Sequence, residues 1–276
     1  MPWPFDREYM RMALAAGLVM GACAPLIGAF LVEKRMSLLG DGIGHLAFAG
    51  VAIGLLCNVW PIWTALIAAV AGAVIVEWLR SRGRASGDLA LAIAFYGGIA
   101  LAVVIASRAS AGTSVNITPY LFGSILTVTW SDVRVIAVLG AAIIAIVAIT
   151  GRALFAIVLD EESARVAGLP VDVLNTLLAA LTAVTIVAAM RVVGVLLVAA
   201  MMVLPVATSR LLTRSFRATV VGAVALGMAS VVVGLVAARG WSIAPGGTIV
   251  LTIVVAYAFV ATLSTVIRRV GANAPG

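Results

Sequence analysis

Asp41 and His45 lie four residues apart inside an apolar stretch, Leu38 to Leu56, that is long enough to cross a bilayer, and His45 is the only histidine of the chain. An ionisable residue at the centre of a membrane helix costs roughly 2.5 to 3.5 kcal/mol on insertion scales, so two within one turn need a reason. A spacing of four places both side chains on one face of a helix. A carboxylate and an imidazole presented together are ligands of the kind that bind divalent transition metals. The alternative is an internal Asp–His hydrogen bond that holds helices together. One Asp and one His are too few to hold zinc, which takes three or four protein ligands. A twofold dimer would supply two of each around a shared axis, with an affinity limited enough for the ion to leave again.

Other chemistries lack their residues. The chain has no HExxH and no GxSxG, and no second aspartate sits deep in an apolar stretch to pair with Asp41. Lys34 is the only lysine, so GxxxxGK[ST] is absent and the chain has no P-loop of its own. Energy for uphill transport must come from elsewhere.

The elements that carry the pair are membrane helices. The 276 residues are 64% hydrophobic and 11% charged, and apolar runs repeatedly reach the ~20 residues that span ~30 Å of hydrocarbon. A β-barrel would show alternating segments of ~10 residues instead. The expected class is an all-α polytopic membrane protein in one domain, 1–276, with no internal repeats. Nine spans are predicted, near 10–31, 38–56, 61–79, 89–107, 132–150, 174–190, 193–209, 218–238 and 247–267, with eight as the alternative count. The stretch from Ala109 to Trp130 carries Thr113, Ser114, Asn116, Pro119 and Ser124 and is too polar to span, although Tyr120 to Val128 can dip into the membrane against other helices. Pro25 and Pro205 fall inside spans and are expected to kink them. Val193 to Ala200, with Gly194, Ala199 and Ala200, reads as a small-residue packing surface.

Charge sets the orientation. The net charge of +7 comes from 17 scattered arginines and Lys34, which suits membrane topology and not nucleic-acid binding. Nine spans place twelve of these cations on one side (Lys34, Arg35, Arg80, Arg82, Arg84, Arg152, Arg165, Arg210, Arg214, Arg217, Arg268, Arg269). The other side receives six (Arg7, Arg11, Arg108, Arg134, Arg191, Arg239), which predicts an outside N-terminus and a cytoplasmic C-terminus. Residues 1–9, with Trp3, Phe5 and Tyr9, read as an interfacial segment, residues 151–173 as the long cytoplasmic loop and 268–276 as a cytoplasmic tail. Within that loop, Asp160-Glu161-Glu162-Ser163-Ala164-Arg165-Val166-Ala167 makes a short helix whose acidic end matches its dipole, ended by Gly168 and Pro170. Such a helix is a suitable docking knob. Cys23 and Cys57 form no CxxC and read as small buried hydrophobes, and Met201 and Met202 as core filler.

The run Arg35 to Ala52, centred on Asp41-Gly42-Ile43-Gly44-His45, resembles the signature of the zinc/manganese ABC-transporter permease family, the membrane subunits of bacterial high-affinity metal uptake systems. Leu121 to Leu126, Glu162 to Pro170, and Val193 to Val198 followed by Pro205 are similar to further family landmarks in the same order. The resemblance implies a homodimeric inner-membrane permease, similar in architecture to cobalamin and siderophore importers, with two ATPase subunits beneath it and an extracellular metal-binding protein above. It implies that Asp41 and His45 are the metal ligands of the passage, and that Asp160, Glu161, Glu162, Ala164, Arg165 and Gly168 belong to the ATPase-coupling helix. Zn2+ or Mn2+ is then cargo, moved by alternating access; no cofactor is permanently bound and the chain is not itself an enzyme. Gly44 and Ala49 stand where family members often have Ser and Pro, and the version Phe48-Ala49-Gly50-Val51 resembles zinc-type members. The rival readings are a manganese or iron importer, a siderophore permease and an ion-gradient-driven carrier.

Overall fold

Each apolar run of the sequence is a helix in the computed structural model, which describes residues 6–82, 87–110, 118–124 and 128–272. In chain order the helices are α1 (Glu8–Glu33), α2 (Leu39–Leu56), α3 (Pro61–Ser81), α4 (Gly87–Ser110), α5 (Thr118–Phe122), α6 (Trp130–Leu159), α7 (Glu161–Val166), α8 (Val171–Met190), α9 (Val195–Leu212), α10 (Phe216–Trp241) and α11 (Pro245–Ala272). The described residues contain no strand. Among the described residues eight helices are long and apolar enough to cross a membrane, and α4 is a further apolar helix, over Leu89–Ile105. The chain is an all-helical multi-pass membrane protein.

The caps show why the helices start where they do. Pro61 opens α3, where its missing N–H costs nothing. Thr129 and Asp132 form a reciprocal capping box at the head of α6. The Asp160 carboxylate accepts from the backbone N–H groups of Glu162 and Ser163 at the head of α7. Gly168, at φ +82°, then turns the chain out of α7, with the Leu169 N–H donating to the Ala164 carbonyl.

Several boundaries differ from expectation. Helix α6 runs on to Leu159, so the loop expected over 151–173 shrinks to a connection around α7. The Gly151-Arg152 step looked like an exit from the membrane. Arg152 instead lies exposed on the side of a continuing helix, and one long cation snorkels without breaking the backbone pattern. Helix α1 already contains Glu8 and Tyr9, and α11 carries through 268–272, so the expected boundaries at 9 and 268 fall inside helices. Trp3, Phe5, Arg84, Thr113, Ser114, Asn116, Ile125 and Leu126 lie outside the described residues. Cys23 is buried, whereas Cys57 is exposed at the end of α2, contrary to the expectation for both. Met201 and Met202 are 0% and 1% exposed, as core filler should be.

Helix α8 lies at the centre, against α1, α2, α3, α6 and α9, while α1 packs on α10 and α9 and α2 is held between α3 and α4. Small residues permit these approaches, since lipid supplies no hydrophobic force between helices. Gly28 is the tightest case: a β-carbon there would stand 1.9 Å from the Met202 carbonyl oxygen of α9. Gly28→Ala is therefore expected to separate α1 from α9 at about 3 kcal/mol, the upper part of the overpacking range. Gly151→Ala, whose β-carbon meets only Val147 Cγ1 at 3.8 Å, is expected to be neutral or to stabilise by about 0.5–1 kcal/mol. Thermal unfolding of the two variants in the same detergent checks the contrast; equal midpoints would remove the assigned role of Gly28.

Candidate functional site

Helix α2 starts at Leu39, so Asp41 sits in its first turn, where the helix dipole favours a carboxylate. His45 follows one turn later, roughly 9 Å from the helix start at 1.5 Å per residue, shallower than a helix beginning at Arg35 would place it. Both side chains are half-buried. The glycines around them serve packing, on a continuous helix: Gly40 faces Ala199 of α9, Gly42 faces Ala94 and Leu91 of α4, and Gly44 faces Val195 and Ile186. Helix α4 passes so near that a β-carbon on its Gly98 would lie 2.8 Å from the His45 carbonyl carbon. The His45 ring meets Phe95 edge-on at 4.6 Å between centroids, and Phe95 meets Tyr96 at 5.3 Å.

Asp41 opens onto a cavity of about 310 Å³ lined also by Leu38, Leu91, Ala92, Phe95 and Tyr96. Neither the Asp41 nor the His45 side chain makes a hydrogen bond or ion pair to another described residue, so the internal Asp–His hydrogen bond is not formed here. Among the described residues no three His, Cys, Asp or Glu side chains gather into a metal-holding group. The carboxylate of Asp41 lines the cavity, while the His45 imidazole, one turn on, packs against Phe95 at its edge.

The acidic helix expected over 160–168 is α7, and the structure ties it to a network that the sequence did not disclose. The Glu161 carboxylate lies 2.8 Å from Lys34 Nζ and 3.4 Å from Arg80 Nη2, and Asn175 Nδ2 donates to it at 3.1 Å. Lys34 also donates to the Asn175 side-chain carbonyl, and Arg80 is bidentate on Glu77, a residue 4% exposed. Burial opposes the charge of Glu161, but the hydrogen bond from Lys34 and the charges of Lys34 and Arg80 outweigh it and hold its carboxyl below the usual range. Burial likewise lowers Lys34, with Glu161 working in the opposite sense. Asp160, fully in solvent, is lowered by the Ser163 hydroxyl and the backbone N–H groups it caps.

The remaining face of α7 is free. Glu162, Arg165 and Gly168 are exposed, with Arg165 reaching Asp172 at 3.0 Å, while Ala164 is buried. A cavity of about 840 Å³ lies beside it, bounded by Lys34, Arg35, Arg80, Asp160, Glu162 and Arg210. Leu91 borders both this cavity and the Asp41 one.

The charge partition reappears in space. Lys34, Arg80 and Arg210, all from the group of twelve, cluster with Glu33, Glu77 and Glu161 at one end of the bundle. Arg191 and Arg239, from the group of six, pair with Asp132 at 2.7 Å and Asp6 at 2.6 Å at the other. The arginine Arg191 lies over the Tyr120 ring at 5.3 Å. Here α5 dips against the α8–α9 junction: a β-carbon on Gly194, at φ +89°, would lie 2.4 Å from the Gly123 nitrogen. Gly194 is thus a turn residue admitting another backbone, not part of a helix-packing surface.

Comparison with known proteins bears on this arrangement. The family model described as "ABC 3 transport family" matches residues 6–264. A Treponema pallidum protein named "Probable metal transport system membrane protein" is 32% identical over 94% of this chain and 97% of its own length. A manganese transport system membrane protein of Halalkalibacterium halodurans is 30% identical over 88% of this chain and 83% of its own. A high-affinity zinc uptake system membrane protein of Haemophilus influenzae is 28% identical over 88% and 93%. The structure of PsaBC from Streptococcus pneumoniae in complex with Fab superposes with a TM-score of 0.83 at 28% identity, covering 92% of this chain and 91% of that one.

Proposed function

This chain belongs to the ABC 3 transport family, as a membrane permease of ABC metal importers and not itself an enzyme, and from that premise we propose that it carries zinc inward across a bacterial inner membrane. The observation that carries the reading is the placement of Asp41 and His45 on successive turns of α2, half-buried and with neither side chain hydrogen-bonded or ion-paired to another described residue, with Asp41 open to a cavity between α2 and α4. Oxygen and nitrogen ligands suit zinc as well as manganese, and the imidazole favours zinc of the two. A second copy of the chain, facing the first across a twofold axis, completes a four-ligand way-station.

In this reading the end bearing Lys34 is cytoplasmic. A separate ATPase docks on α7, and an extracellular binding protein delivers the metal to the opposite end. ATP binding and hydrolysis in the partner alternate the access of the pair between the two sides, because binding energy is spent on one conformation at a time. No residue of this chain hydrolyses ATP; its part is to catch a partly dehydrated ion and release it.

The test is uptake of labelled zinc by the permease with its ATPase and binding protein in vesicles. Unlabelled zinc is expected to compete at lower concentration than manganese or iron. Manganese competing more strongly than zinc would reassign the cargo. Uptake without the ATPase would make the chain a gradient-driven carrier, and competition only by a metal chelate would make it a siderophore permease.

A further inference from the structure

Helix α7 has six residues, far too few to be stable alone, and of these only Ala164 is buried. Beyond its cap at Asp160 and the exposed Arg165–Asp172 pair, one carboxylate ties it to the bundle. Glu161 draws together Lys34 at the end of α1, Arg80 at the end of α3 and Asn175 in the first turns of α8. Exposed ion pairs slip and contribute little. This one is different, because the Lys34 side chain is 8% exposed and has little water to replace its carboxylate. Where Glu161 goes, Lys34 must follow.

Lys34 leads directly to the metal ligands. It is the C-cap of α1, and the turn into α2 is short and held by four backbone bonds: Lys34 N–H donates to Phe30, Arg35 to Val32, Met36 to Leu31 and Leu39 to Met36. Arg35 holds φ at +60°, a left-handed conformation that a side chain adopts only when its surroundings impose it. Two residues past Leu39 stands Asp41. A short connection of six intervening residues, 35–40, therefore joins a buried ammonium to the proposed metal ligand.

From this geometry we propose that the Lys34–Glu161 pair is the strut through which movement of α7 reaches α2, so that both act as positioning residues for metal transfer; the inference rests on the permease reading above. The pair transmits displacement in either direction: α7 pushed from outside shifts the α1–α2 turn and the entry of the Asp41 cavity, and metal at Asp41 resists that shift. Arg80, anchored on Glu77, limits the travel on the α3 side.

The experiment uses the whole transporter, permease and ATPase with binding protein, reconstituted as wild type, Glu161→Gln, and the reciprocal swap Lys34→Glu with Glu161→Lys. Two quantities are read: metal ions moved per ATP hydrolysed, and the ATP-dependent change in amide hydrogen exchange over residues 35–44 and 160–168. In Glu161→Gln the ions moved per ATP are expected to fall about tenfold, within the span of site-to-site couplings. The exchange response of 35–44 is expected to vanish while that of 160–168 persists. The swap is expected to recover a substantial part of both. A merely structural contact predicts lower stability with an unchanged transport ratio and exchange response, and that result in Glu161→Gln overturns the proposal. Should Glu161→Gln fail to assemble, a swap that assembles without restoring the ratio overturns it equally. Failure of the metal-import reading shows separately, as a wild-type complex that hydrolyses ATP but moves no metal, and the exchange measurement still decides the strut.

Discussion

Asp41→Ala and His45→Ala are each expected to lower ATP-driven metal uptake on the order of a hundredfold while the complex with the ATPase still forms. Removing an outer partner of a metal ligand already costs about 10–100-fold, and on the proposed reading a ligand itself is lost, in duplicate if two copies share the passage. The structural alternative is that the pair holds helices together. Neither side chain bonds to another described residue, so its removal leaves no buried partner unsatisfied. His45→Phe sharpens the test. It keeps an aromatic ring against Phe95, which the imidazole now meets at 4.6 Å, but removes both nitrogens. Uptake should fall as in the alanine variant, with the unfolding temperature nearly unchanged. Wild-type uptake in all three variants would remove the site.

Arg191→Met is expected to be the most destabilising single change at the opposite end of the bundle. It strands Asp132, a carboxylate 1% exposed and 2.7 Å from the guanidinium, and breaking one partner of a buried pair costs about 3–5 kcal/mol. Asp132 also caps α6 by accepting from the Thr129 N–H and hydroxyl, each at 2.9 Å. Replacing both members, Arg191→Met with Asp132→Leu, removes the stranded charge and leaves the lost cap, about 1 kcal/mol. The double variant should therefore be more stable than Arg191→Met alone. Denaturant or thermal unfolding checks the order, and a double variant as unstable as the single one would show that the stranded charge is not the cause.

The helices were legible because lipid imposes a simple rule: every backbone group is satisfied within the span, so a run of apolar residues has one solution. The starts of α2 and α3, at Leu39 and Pro61, fall within a residue of those read from composition. The Asp41–His45 spacing was equally plain. Some ends were legible from hydropathy, as at Leu56 for α2 and Met190 for α8, and Gly168 announced that of α7; Arg152, facing outward from α6, misled because hydropathy does not say which way a side chain points. The Lys34–Glu161–Arg80–Asn175 network was invisible for a different reason. Its members come from four separate helices, up to 141 residues apart, and each looks alone like a topology charge or a surface polar residue. Glu77 and Arg80 hinted at it through their spacing of three.

The 30 residues of α6 have a further consequence. At 1.5 Å per residue they measure about 45 Å, against ~30 Å of hydrocarbon, and tilts of about 20° shorten that projection only slightly. Among the eight such helices of the described residues α6 is also the least enclosed, with 22% of its most apolar stretch buried. It is a mast standing in lipid and overtopping it by roughly three turns, with α7 as its yardarm. When the surrounding bilayer thickens or thins, the waterline moves along the mast, and the height of α7 above the bundle stays where the protein's own contacts set it.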